Sequence, residues 1–199
     1  MNNDTIFRIL ATLTFVTGGA ISIYYRRKAD REDGEKLSLR EEGRGLLIVL
    51  RTTGLLLWLS VFAYLINPAW MAWSKIDLPE WVRWVGVGMG MLSVLLIYWV
   101  FSNLGNNVSP TVVTRKNHTL VTSGPYRWVR HPLYSTGFLS YIGFVLLSEN
   151  AFIAVLAVIG MVFLRIRLPK EEARLIERFG EAYRAYMRRT GTFLPKLFR

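Results

Sequence analysis

The stretch PLYSTGFLSYIGFVLLSENAFIAVLAVIGMVFLRIRL, Pro132 to Leu168, decides how this chain is read. It is apolar for longer than the roughly 20 residues that one membrane-crossing helix needs. Ser148-Glu149-Asn150 interrupts it near the middle. The interruption predicts a tight helical hairpin with three polar residues at its tip. The first arm is short, about 24 Å at 1.5 Å per residue.

Working toward the N-terminus, three more apolar runs appear: Trp81 to Phe101, Gly45 to Asn67 and Ile6 to Tyr25. Each has the length of a spanning helix. Gly86, Gly88 and Gly90 in the first of these permit close helix contact, and Arg51 in the second can snorkel toward the headgroups. With the hairpin this predicts five membrane helices. MNNDTIFRIL carries no basic n-region, so the first run reads as a retained anchor rather than a cleaved signal.

The polar segments test that topology. Arg26, Arg27, Lys28, Arg31, Lys36, Arg40 and Arg44 separate the first and second runs, whereas only Lys75, with Trp70 and Trp73, separates the second and third. Arg115, Lys116, Arg127 and Arg130 precede the hairpin, its tip has no Lys or Arg, and the segment from Arg165 onward holds ten. Basic and non-basic segments alternate, which places the N-terminus outside and the C-terminus in the cytoplasm. The formal net charge of +11 thus follows membrane topology and not a nucleic-acid groove. There are no cysteines and only two histidines, His118 and His131, which excludes disulfides and thiolate zinc and argues against a metal centre.

Beyond the hairpin, Pro169 suits a first helical turn. Leu175, Ile176, Phe179, Tyr183, Tyr186 and Met187 recur at helical spacing with arginines opposite, which predicts a cytoplasmic amphipathic helix ending at Thr190–Pro195. The polar residues gather in Asn117–Tyr134 and Arg165–Glu172. These segments lie at the two ends of one hairpin and should face each other across a single pocket.

NHTLVTSGPYRWVRHPLY (Asn117–Tyr134) and RLPKEEARLIERFGEAYRAYMRRTGTFLP (Arg167–Pro195) together resemble the isoprenylcysteine carboxyl methyltransferases, a family of integral-membrane enzymes, and the short chain points to a prokaryotic member. The resemblance covers the C-terminal half. It implies a single methyltransferase domain over 1–199, with three membrane helices in 1–103 and the cofactor-binding region in 104–199. It implies S-adenosylmethionine as methyl donor, with S-adenosylhomocysteine as product and a lipophilic or prenylated acceptor entering from the bilayer. Carried residue by residue, it places cofactor contacts at His118, Thr119, Leu120, Val121, Tyr126, His131, Pro132, Leu133, Tyr134 and Glu171. It places a substrate-facing, catalytic arginine at Arg167. The backbone of Thr119–Val121 suits an adenine edge, Glu171 an ammonium, and the tyrosines a sulfonium by cation–π contact.

Several of these residues have plainer readings. Arg127 and Arg130 read as topological positive charge, Glu172 as a helix-dipole partner, and Tyr134 as a belt residue. A carboxylate acceptor, as in an isoprenylcysteine, needs no general base, whereas an amine requires one, from His131 or a glutamate. The alternatives are a phospholipid or other amine or thiol methyltransferase, a nicotinamide-dependent membrane reductase, and a non-catalytic lipid-binding scaffold. The expected location is the prokaryotic cytoplasmic membrane, or the endoplasmic reticulum in a eukaryote, with the active site cytoplasmic.

Overall fold

A computed structural model describes residues 3–33, 44–107 and 119–196. Among the described residues the regular secondary structure is helical, apart from two isolated bridges. The six α-helices are α1 (Asn3–Asp33), α2 (Arg44–Ile66), α3 (Glu80–Leu104), α4 (Pro132–Ser148), α5 (Ala151–Phe179) and α6 (Glu181–Arg189). Four of them, α1, α2, α3 and α5, contain stretches long and apolar enough to cross a membrane, and α4 is shorter at 17 residues. Leu13, Val16, Ile48, Leu55, Leu95, Val155 and Val158 are all exposed. An apolar surface of that extent suits lipid, not water.

The hairpin tip forms where Ser148-Glu149-Asn150 leaves the apolar pattern. Glu149 adopts the left-handed conformation at φ 52 and closes α4, its N–H bonding to the Val145 carbonyl. Asn150 caps α5 by accepting from the Ile153 N–H at 3.0 Å, and its amide donates to the Met71 carbonyl at 3.0 Å. This ties the tip to the 3-10 turn Pro68–Ser74.

Packing centres on α3, which lies against α1 and α4, while α2 lies against α5. Two of the three α3 glycines are used. A Cβ on Gly86 would fall 2.7 Å from the Gly143 carbonyl oxygen, and one on Gly143 would fall 2.9 Å from that of Gly86, so α3 and α4 meet backbone to backbone. Gly90 faces Thr14 of α1, and Gly88 faces open space. Interiors tolerate no extra methyl at so close an approach. A core of Phe7, Val61, Tyr64, Phe144, Leu147 and Ile153 joins the helices around this contact.

Two expectations require correction. First, α1 continues to Asp33, so Arg26–Arg31 form its last turns instead of a loop. Arg26 is held there by a bond from Nε to Ser22 Oγ and by lying over the Phe101 ring. Second, no new helix begins at Pro169. Helix α5 passes through it to Phe179, and the break falls at Gly180. Proline removes one backbone donor from a helix, which a membrane helix can absorb through its neighbours. Gly180 adopts φ 56, a conformation open to glycine and strained for other residues. The amphipathic run therefore divides between the end of α5 and α6.

Candidate functional site

The antiparallel arms bring the start of α4 and the end of α5 to the base of the hairpin. His131 precedes Pro132, the first residue of α4, and is 6% exposed. Its Nε2 lies 3.3 Å from Glu172 Oε1 and its Nδ1 lies 3.6 Å from Glu171 Oε1, so each ring nitrogen faces a carboxylate. Tyr134, one turn on, donates from its hydroxyl to Glu171 Oε2 at 2.5 Å, and its ring lies parallel to His131 at 5.6 Å.

A strap, Thr190–Phe193, runs beside this cluster. The His131 N–H donates to the Thr192 carbonyl and the Arg130 N–H to the Gly191 carbonyl, while the Gly191 N–H donates to the Trp128 carbonyl. Ser135 Oγ holds the Phe193 carbonyl at 2.6 Å. The Phe193 ring packs against Phe138 at 5.4 Å and against His131 and Tyr134 at 6.5 Å. A Cβ at Gly191 would sit 1.7 Å from the Leu194 carbonyl oxygen, so this turn admits glycine alone.

Arg130 and Glu172 do more here than their plain sequence readings assign. Arg130 Nε donates to Glu172 Oε1 at 2.8 Å, Nη1 to the carbonyls of Thr190 (2.6 Å) and Met187 (3.3 Å), and Nη2 to Thr192 Oγ1 at 2.8 Å. One guanidinium thus fastens the motif loop, α5, the end of α6 and the strap. Its planar fork of five donors suits such a role. Glu172 is the shared acceptor of Arg130 and His131 and is not merely a helix-dipole partner. Arg127 stays exposed.

The remaining expected residues are distributed as follows. His118 lies outside the described residues. Thr119, Leu120 and Val121 line an open groove of about 640 Å³ with Asn103 and Asn107. The Thr119 N–H donates to Asn107 Oδ1 at 2.8 Å. This groove is separate from the His131–Glu171 cluster. The two are joined through Gly124, at φ 55, where a Cβ would strike Asn103 at 2.2 Å. Tyr126 is buried in the following 3-10 turn. Leu133 and Tyr134 line a second cavity of about 190 Å³ between α2, α4 and α5, with Leu57, Phe138, Gly160 and Leu164. Pro132 is buried and Arg167 half-buried. Arg167 follows Leu164 by three residues, and Gly160, Leu164, Arg167 and Glu171 fall on one stripe of α5 at helical spacing.

Behind this cluster α6 buries two tyrosines. Tyr186 donates to the carbonyls of Tyr126 at 2.7 Å and Val129 at 3.4 Å. Burial pushes its phenol up to about 12. Burial likewise raises the phenols of Tyr126 and Tyr183, so all three remain protonated donors. Tyr183 and the strap are legible in the sequence only as helical spacing and a helix stop.

Several known proteins are similar to this chain. The mouse protein-S-isoprenylcysteine O-methyltransferase is 35% identical over 126 residues, which is 62% of this chain and 44% of that protein. The cobalt-zinc-cadmium resistance protein CzcN of Cupriavidus metallidurans is 32% identical over 143 residues, 70% of this chain and 62% of that protein. The chain spans less than half the length of the mouse relative. The solved structure of a eukaryotic intramembrane Ras methyltransferase shares the fold at a TM-score of 0.55 and 21% identity, over 94% of this chain and 67% of that one. Residues 86–177 match the isoprenylcysteine carboxyl methyltransferase family, taking in the close α3–α4 contact, the motif loop and the hairpin with its glutamate pair. Over that segment, just under half of the chain, the protein is similar to the isoprenylcysteine carboxyl methyltransferase family.

Proposed function

We propose that the chain is an S-adenosylmethionine-dependent methyltransferase acting on the carboxylate of an isoprenylcysteine-like, lipophilic molecule. The observation that carries this reading is the meeting point at Tyr134. This residue lines the apolar cavity between α2, α4 and α5 and hydrogen-bonds Glu171 in the polar cluster. A hydrocarbon chain suits the first environment and a charged cofactor the second.

In this reading the five helices α1 to α5 cross the membrane, the N-terminus lies outside, and the hairpin base and α6 lie in the cytoplasm. The whole chain forms one domain, with 1–103 completing the bundle and 104–199 holding the site. The backbone of Thr119–Val121 meets the adenine, Glu171 the ammonium, and Tyr126 and Tyr134 the sulfonium side, with His118, His131, Pro132 and Leu133 completing the wall. The residues fit such a group, since Glu171 offers a carboxylate on the face of α5 that leads up from the apolar cavity. When bound, S-adenosylmethionine supplies a methyl group activated on a sulfonium. Arg167, on the same stripe, orients the acceptor by holding one carboxylate oxygen while the other is left to attack. The apolar walls exclude water from the nucleophile, and alignment of the two partners lowers the barrier. Both His131 nitrogens face carboxylates, so neither ring nitrogen is turned toward a methyl acceptor. That geometry favours a carboxylate, which needs no base, over an amine.

Two measurements test the reading together: calorimetric titration with S-adenosylhomocysteine, and labelled-methyl transfer to an S-prenylated N-acylcysteine. Binding with a base-labile methyl ester as product is expected. Methyl transfer only to phospholipid amines would overturn the acceptor assignment. Absence of binding by well-folded protein would overturn the enzyme reading in favour of a lipid-binding scaffold.

A further inference from the structure

The side chain of Tyr183 is 2% exposed, and its hydroxyl has no hydrogen-bond partner among the described residues. Its neighbour on the same face of α6 shows how such a group is normally satisfied. The Tyr186 ring lies 5.8 Å away, and its hydroxyl reaches the carbonyl of Tyr126 at 2.7 Å. The two phenols therefore share one element, one face and one degree of burial, and differ in having an acceptor.

The surroundings identify what the Tyr183 hydroxyl faces. Arg130 holds the carbonyl of Met187, one turn after Tyr183, and Tyr186 bonds the motif loop at Tyr126, so this face of α6 is turned toward that loop and Arg130. Arg130 is already committed to Glu172, Met187, Thr190 and Thr192. Burial keeps the phenol protonated, so it is a donor in search of an acceptor. Among the groups that S-adenosylmethionine presents, the adenine and the ammonium have partners assigned above. The α-carboxylate, the strongest acceptor of the molecule, has none.

We propose that Tyr183 donates a hydrogen bond to the α-carboxylate of the bound methyl donor, from behind the Glu171–His131–Glu172 cluster. The inference rests on the reading of this site as an S-adenosylmethionine pocket. It makes a distinctive claim, because the same hydroxyl is a burden without ligand and a contact with it. A buried donor left unmatched destabilises a fold, whereas one matched to a charged acceptor strengthens binding.

The test compares wild type, Tyr183→Phe and Tyr186→Phe. Each is titrated with S-adenosylhomocysteine and with 5′-deoxy-5′-methylthioadenosine, which shares the adenosine and the sulfur but lacks the amino-acid end. Thermal unfolding is followed without ligand. Tyr183→Phe should bind S-adenosylhomocysteine about tenfold or more weakly, in line with loss of a hydrogen bond to a charged group. It should bind methylthioadenosine as wild type does, and its ligand-free Tm should rise. Tyr186→Phe, which loses two satisfied bonds, should show a lower Tm. Unchanged S-adenosylhomocysteine affinity in Tyr183→Phe, or an equal loss for both ligands, would overturn the proposal while leaving the pocket reading intact. Wild-type protein that binds neither ligand would overturn both.

Discussion

The hairpin carries a buried charged cluster at each end, and the two are built differently. At the tip, Arg83 donates to Asp4 at 2.6 Å and to the Leu147 carbonyl, approaches Glu149 at 3.3 Å, and lies over the Phe7 ring at 4.0 Å. Glu149 in turn accepts from the Leu78 N–H through its carboxylate and from the Ile76 N–H through its backbone. Every charge there is answered by another part of the fold, so that α1, α3 and the hairpin are fixed together. At the base, Arg130 and Glu172 form a comparable lock, yet Tyr134 links Glu171 to an apolar cavity, and the buried Tyr183 hydroxyl has no hydrogen-bond partner among the described residues. Buried charge that closes on itself is architecture. Buried polarity that stays in excess, next to a cavity, is where a ligand can be bound.

The strongest way to break that contrast is Arg83→Met. It strands Glu149, which is nearly buried, and releases the start of α1, so a stability loss of about 3–5 kcal/mol is expected. Thermal unfolding should show the drop. S-adenosylhomocysteine affinity of the folded fraction should stay at the wild-type value, and a loss of affinity would join the two ends functionally. Arg130→Met sharpens the comparison from the other end. It strands Glu172 and frees the strap, and it should lower Tm and weaken ligand binding together, while Arg127→Ala changes neither. Glu171→Gln is the smallest structural change and the most selective. Its affinity should fall about 10- to 100-fold, the worth of a hydrogen bond between charged groups. Stability should move by less than about 1 kcal/mol. A variant with lower Tm and unchanged affinity would make Glu171 part of the lock and not part of the site.

Much of the fold is legible because hydropathy and a three-residue interruption are local signals. Ser148-Glu149-Asn150 locates the tip to the residue, since nothing else interrupts the middle of the 37-residue stretch Pro132–Leu168 so sharply. The division of the C-terminal helix is not legible. Leu175, Ile176, Phe179, Tyr183 and Tyr186 keep their helical spacing across Gly180, and a positive φ leaves no mark on that pattern. Arg83 and Arg130 escape for a different reason. Their partners lie 79 and 42 residues away in the chain, and composition alone makes each look like one more basic residue. Glu171 and Glu172 are adjacent, and neighbours on a helix point about 100° apart. Only the packing shows that the second faces Arg130 and His131, while the first reaches Tyr134.

The strap sets an order for making the protein. Gly191 and Thr192 pair with Trp128, Arg130 and His131, so the residues that finish the site are translated after everything they close upon. The apolar hairpin is therefore made before the strap that closes over its base.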